Sequence, residues 1–256
     1  MLFDLPHILY MVISALITGA TLFLAARFLK AEKHKDFVLK LSAVLTVILH
    51  FSNIYVHYFT SGNLTIENVH ILPIYPCNVA MWALVITAFA KNKSSTAFRI
   101  LAEATFYIGV TGGVVGIAVN ANYSSTPDLA NWDILKGLLS HSTMLWGCIY
   151  LLCGKYITIR VRNVLSVTIG LLALLVDGLF INALFAACGL PDPNSMYLSQ
   201  APYPALPFLN TGTIGMAGVL IAFAITAIHE QIALPKEERW YAKLRKRIQN
   251  TKEIKQ

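Results

Sequence analysis

LPHILYMVISALITGATLFLAARFLKAEKHKD, residues 5–36, decides the solvent this chain folds in. From Leu5 to Leu29 there is one charge, Arg27, and then Lys30, Lys33 and Lys35 arrive together. A helix rises about 1.5 Å per residue, so roughly 20 apolar residues cross a hydrocarbon core of about 30 Å. The run is too long for the core of a signal peptide, and no small-residue cleavage site precedes the lysines. It reads as a retained transmembrane helix with a basic loop behind it.

The same pattern repeats to the end of the chain. Apolar runs of spanning length fall near 6–29, 38–60, 70–90, 98–119, 136–153, 163–188 and 207–229. Of the 256 residues, 56% are hydrophobic and 13% charged, which leaves too little polar surface to cover a soluble globule. The sequence therefore predicts an all-α, polytopic membrane bundle of about seven transmembrane helices. Residues 1–235 form the membrane domain and residues 236–256 a basic tail, with no internal repeat. Within the tail, residues 237–249 fit a short amphipathic helix on anionic headgroups.

Charge orders the loops. Lys30, Lys33 and Lys35 follow the first run, Lys91, Lys93 and Arg99 the third, and Lys155, Arg160 and Arg162 the fifth. The tail adds Lys236, Arg239, Lys243, Arg245 and Arg247. The alternate loops hold Glu67, Asp128, Asp133 and Asp192, with Lys136 the one lysine at their edge. Lys and Arg resist translocation, so the basic loops are cytoplasmic, the N-terminus is outside and the C-terminus inside. A multi-pass protein of the cell membrane follows. The net charge of +7 is spread over these loops rather than gathered in a patch, which argues against nucleic acid as a partner.

Ionisable and amide side chains inside a membrane are costly, so their depth is informative. Under this topology His50, Asn53 and His57 share one face of the second run, at spacings of three, four and seven. Cys77 and Asn78 open the third, just after Pro73 and Pro76, and His141 lies early in the fifth. Asp177 and Asn182 sit in the outer half of the sixth, and Asn210 starts the seventh. Glu103 and Tyr107 are the exceptions, nearer the cytoplasmic half of the fourth. A polar pocket in the outer half would gather the first group. The prolines open two readings: irregular backbone lining a cavity, or Pro76 as the first residue of a helix beginning near Tyr75.

Among the four cysteines, Cys148 and Cys153 read as packing residues, and no CxxC pair suggests zinc. Cys77 stands apart because helix N-terminal amides favour a reactive thiol. A disulfide with Cys188 is the rival reading. A thiol, a histidine and a carboxylate are the parts of a nucleophilic acyl-transfer site.

LPIYPCNVAMW, residues 72–82, resembles the LP-x-x-x-C motif of YwaF-type integral membrane proteins, bacterial relatives of transmembrane protein 164. The likeness continues in order through Gly109, Gly112 and Gly113, Pro127-Asp128, Ser140-His141, Asn182 and PDPNSMYLSQAP, over roughly residues 40–225. The resemblance implies a cysteine-centred acyltransferase acting on phospholipids, with Cys77 as nucleophile and His141 as the family's histidine. Asn194-Ser195-Met196 stands where N-Y-M is usual, and Ala201-Pro202 where Lys-Pro is.

Two function classes remain in play. The first is a lipid-directed acyltransferase with a thioester intermediate, Cys77 and His141 catalytic, and no cofactor or metal. Its supporting polar residues would be His50, His57, Asn53, Asn78, Asp177, Asn182, Asn194 and Tyr197, and its partners membrane lipids. The second is a small-solute permease using the histidines and Asp177. A retinal-binding receptor is excluded, since the seventh run contains no lysine.

Overall fold

The computed structural model describes residues 2–62, 72–163, 165–201, 208 and 210–245. Among them the chain is all-α, with eight α-helices: α1 Leu5–Phe28, α2 Glu32–Ser61, α3 Pro76–Phe89, α4 Thr96–Ala118, α5 Ala121–Ser125, α6 Trp132–Cys153, α7 Leu165–Ala187 and α8 Thr211–Ala233. Local chemistry sets their ends. Asp4, Ser95 and Asn131 cap α1, α4 and α6 by accepting a backbone N–H of the first turn. Asn210 and Thr213 form a reciprocal capping box at α8. Gly62, left-handed at φ 73°, ends α2.

Five helical stretches are long and apolar enough to cross a membrane: α1, α2, α4 with the short α5 behind it, α7 and α8. They are inside-out by the standard of a soluble protein. Only 11% of the apolar window of α1, and of α8, is buried, and Leu16, Phe23, Leu220 and Ile232 point outward. Such faces need lipid around them. The chain is a multi-pass membrane protein.

The third expected run, 70–90, becomes a helix of 14 residues starting at Pro76. Pro76 is the first helical residue, where its missing N–H costs nothing. Residues 72–75 ahead of it are non-helical, and residues 63–71, with Glu67, lie outside the described part. In the tail, Lys236–Glu238 form a 3-10 turn and 240–245 are helical. The remainder, including Arg247, also lies outside.

The helix at the centre is α6. It packs against α1, α2, α3, α4 and α5, and it carries Asp133, Lys136, His141, Ser142 and Thr143. Against α4 it lies antiparallel on a strip of glycine. A Cβ on Gly113 would come 2.8 Å from Leu145 Cβ; one on Gly109 would strike Cys148, and one on Gly116 would strike the His141 ring. Small residues let the two backbones approach, as lipid-embedded helices require. Hydroxyls join α6 to the others. Tyr10 and Ser14 meet Ser142 at 2.9 and 3.0 Å, Thr46 donates to Thr143 at 3.0 Å, and Trp132 Nε1–H donates to Ser52 at 3.1 Å.

The opposite end of the bundle is also polar, so polar residues do not gather at one end alone. Ser166 and Asn163 donate to Glu103 at 2.6 and 3.1 Å, and Tyr107 meets Thr226 at 2.6 Å. Glu230 accepts the backbone N–H groups of Val161 and Trp240, both at 2.8 Å. These carboxylates are buried and bound by neutral donors, which is the structural role expected of paired polar groups. Lys93 pairs with Asp36 across the α2 and α3–α4 ends, where the basic loops gather.

Candidate active site

Two helix ends meet at the other end of the bundle. The start of α3 offers Cys77, its second residue, and the third turn of α6 offers His141. Their side chains face each other closely enough to interact. The tautomer follows from the second contact of the ring. Nδ1 lies 2.7 Å from the Gly137 carbonyl, which can only accept, so Nδ1 carries the proton. The lone pair is therefore on Nε2, the nitrogen left to face the thiol.

Each member is held by its own framework. His141 lies flat on Gly116 of α4, close enough that no side chain fits there. The Asn120 amide donates to the Gly116 carbonyl at 3.3 Å, fixing the end of α4 beneath the ring. One residue on, the Ile117 carbonyl accepts His7 Nε2–H at 2.8 Å, while His7 Nδ1 accepts the N–H of Phe3. His7 is fully buried and its ring sits 4.6 Å from that of Tyr123. Tyr123 donates to Asp4 at 2.6 Å, an interaction that holds Asp4 below the usual carboxylate range.

Cys77 is placed by the turn before it. Tyr75 N–H donates to Asn78 Oδ1 at 3.2 Å and Asn78 N–H donates to the Tyr75 carbonyl at 2.9 Å, closing the helix start around Cys77. Both Cys77 and His141 are half-buried, so the pair is neither sealed in the core nor open on a surface. All four cysteines are free thiols, and the pairing of Cys77 with the exposed Cys188 is not made. A free thiol beside an imidazole whose second nitrogen is fixed has the parts of an activated nucleophile.

The other residues read from the sequence are more scattered. His57 Nε2 meets both carboxylate oxygens of Asp133 at 3.0 Å, an exposed pair between α2 and α6 that leaves His141 to Gly137. His50 packs edge-on against Phe51, and Asn53 is buried in α2. Asn78 serves as a cap through its side chain. Asn182 Oδ1 accepts the N–H of Ser195 at 2.8 Å. Asn194 organises its own loop, its Oδ1 accepting from Ser199 and Gln200. The Tyr197 ring stacks on Tyr75 at 5.5 Å. Asp177 lies apart, on an outward groove of α7 with Leu172, Val176 and Phe180. Among the described residues no three His, Cys, Asp or Glu side chains are placed to hold a metal ion.

Sequence reasoning missed the supports under His141. Gly116, Asn120, His7, Asp4 and Tyr123 carry no motif of their own, although Asp4 three residues before His7, with Pro6 between, is a legible helix start. None of the curated proteins and none of the solved structures compared with the chain matches it. The model of the TMEM164 family matches residues 2–231, which spans the bundle and the Cys77–His141 pair, and the chain belongs to the TMEM164 family.

Proposed function

We propose that this protein is a membrane-embedded acyltransferase that moves an acyl chain of a membrane lipid through a thioester on Cys77. The observation that carries the reading is the Cys77 thiol placed beside an imidazole whose Nδ1–H is fixed on Gly137. In the first step Nε2 of His141 takes the thiol proton as Sγ bonds to the ester carbonyl carbon. The tetrahedral oxyanion is held by the backbone N–H of Cys77 in the first turn of α3. The carbon–oxygen ester bond then breaks, and His141 returns the proton to the departing alcohol oxygen. In the second step an acceptor hydroxyl attacks the thioester, His141 takes its proton, and the thiol leaves protonated. Atoms and charge balance without a cofactor or metal.

Membrane lipids suit the position of the pair, half-buried among helices whose outer faces are apolar. In this reading α3 and α6 complete about seven crossings, the basic loops are cytoplasmic, and Cys77 works at the outer leaflet of the cell membrane. The YwaF-type relationship read from the sequence belongs here too, as the finer placement within the family.

The rival permease would need its histidines and Asp177 but not a thiol. Purified protein in lipid vesicles, given a phospholipid donor with a labelled acyl chain and a lysolipid acceptor, tests the choice. Transfer that disappears in Cys77→Ser and His141→Ala supports the acyltransferase. Transfer unchanged in Cys77→Ser would overturn it.

A further inference from the structure

The α7–α8 loop is built into the start of α3 in a way that folding of the loop alone does not require. Ser195 Oγ–H and Met196 N–H both donate to the Ile74 carbonyl, at 3.0 and 2.9 Å. Ser195 N–H is in turn taken by Asn182 Oδ1 on α7. Tyr197 stacks on Tyr75, and Thr211 Oγ1–H, in the first turn of α8, bonds to the Tyr197 carbonyl at 2.7 Å. Ile74, Ser195 and Met196 are all buried, and Met196 packs on Gly178 of α7, where a Cβ would lie 2.8 Å from its Cγ.

The turn that makes these contacts is a strained one. Asn194, Met196 and Tyr197 have φ of 50°, 53° and 57°, the left-handed region that side-chain-bearing residues rarely enter. Such a conformation persists only where its surroundings over-determine it. Here the surroundings are the backbone two and three residues ahead of Cys77. Pro76 stiffens the connection between, so a shift at Ile74 passes to Cys77 with little slack.

We infer that Asn182 and Ser195 are positioning residues for Cys77: they fix the Ile74–Tyr75 backbone so that the thiol meets His141. The inference rests on the Cys77–His141 pair acting as nucleophile and base. It gives the α7–α8 loop a part in the chemistry without contact with substrate. Asn182 uses a single acceptor oxygen, so aspartate can replace it and alanine cannot.

The test is a coupling measurement on folded protein in detergent, with the rate of Cys77 alkylation by iodoacetamide resolved by mass spectrometry. In the wild type, His141→Ala slows Cys77 alkylation. In Asn182→Ala that dependence on His141 collapses, with the Cys77 rate lowered about five- to tenfold, the worth of one hydrogen bond. Asn182→Asp restores both the rate and the dependence, which a merely structural role would not require. Tyr197→Ala, which removes the stack on Tyr75, shows the same loss and serves if Asn182→Ala does not fold. Wild-type dependence on His141 in folded Asn182→Ala, or in Tyr197→Ala, would overturn the inference. Wild-type Cys77 indifferent to His141 would instead overturn the pair itself.

Discussion

Gly116→Ala separates the site from the stability of the bundle. A Cβ at this position would stand 2.7 Å from His141 Cγ and closer still to Cδ2 and Nε2, against 3.4 Å for ordinary contact. The ring must back away by about 0.7 Å at Cγ and further at Nε2, the nitrogen that faces Cys77. It cannot do so freely, because Nδ1–H is held on the Gly137 carbonyl. Overpacking of this kind costs about 1–3 kcal/mol, but the yielding group is a side chain rather than backbone. The bundle therefore survives while the thiol–imidazole geometry does not, and misplacement approaching 1 Å at a reacting pair costs about a hundredfold in rate. Two neighbours are the controls. Gly112 has open space around it, so Gly112→Ala should leave activity alone and gain up to about 1 kcal/mol of helix propensity. At Gly113 a Cβ meets Leu145 Cβ at 2.8 Å and its Cα at 3.3 Å, so Gly113→Ala should lower the melting temperature through the α4–α6 interface. Thermal melting in detergent and the rate of acyl transfer, measured on all three, make the comparison. Full transfer activity in Gly116→Ala with an unshifted melting temperature would refute the placement of His141 on this glycine.

Three further outcomes follow from single contacts. The Asp4–Tyr123 clasp stabilises the fold while Asp4 is ionised and Tyr123 is not. The lowered carboxyl makes its share present above pH 3.8 and lost as pH falls further. Melting temperature against pH should therefore fall at the acid end in the wild type, and Tyr123→Phe, which removes the donor to Asp4, should weaken that acid decline. Glu230→Ala leaves the half-buried amides of Val161 and Trp240 without their acceptor and should cost about 1–3 kcal/mol, with Glu230→Gln milder; melting and protease cleavage beyond residue 235 report it. Alkylation of the wild type resolved by site should find the exposed Cys188 modified and the buried Cys148 silent, since Cys148 is packed on Gly109.

The fold was legible where physics is local. One charge in twenty-five residues and a lysine cluster behind them are enough to place α1, and the same rule places α2, α4, α7 and α8. The third run was harder. Residues 72–75 look helical by composition, but Pro73 and Pro76 and the pull of Ser195 on Ile74 keep them out of the helix until Pro76. The Cys77–His141 pairing was suggested by residue type and by resemblance, not by spacing, because contacts between helices leave no mark on sequence distance. His57 shows the limit. Its depth at the end of α2 suits a partner for His141, yet Asp133 in the first turn of α6 lies across from it and takes both its hydrogen-bonding capacity and its place. Asn78 and Asn182 look like members of one polar pocket in a list of polar residues. In the fold each spends its carbonyl oxygen on a backbone N–H, Tyr75 and Ser195 respectively. The glycines of α4 were visible as a motif, but only the antiparallel register against α6 shows that Gly116 is the seat of a histidine.

Trapping the acyl-enzyme is the most direct test of the Cys77–His141 chemistry. Protein in vesicles is given a phospholipid with a labelled acyl chain and no acceptor, then digested and read by mass spectrometry with and without hydroxylamine. A hydroxylamine-labile acyl group on Cys77, absent in Cys77→Ser and strongly diminished in His141→Ala, is the outcome this geometry requires. Acyl transfer that proceeds with Cys77 unmodified throughout, or a label that forms equally well without His141, would contradict it.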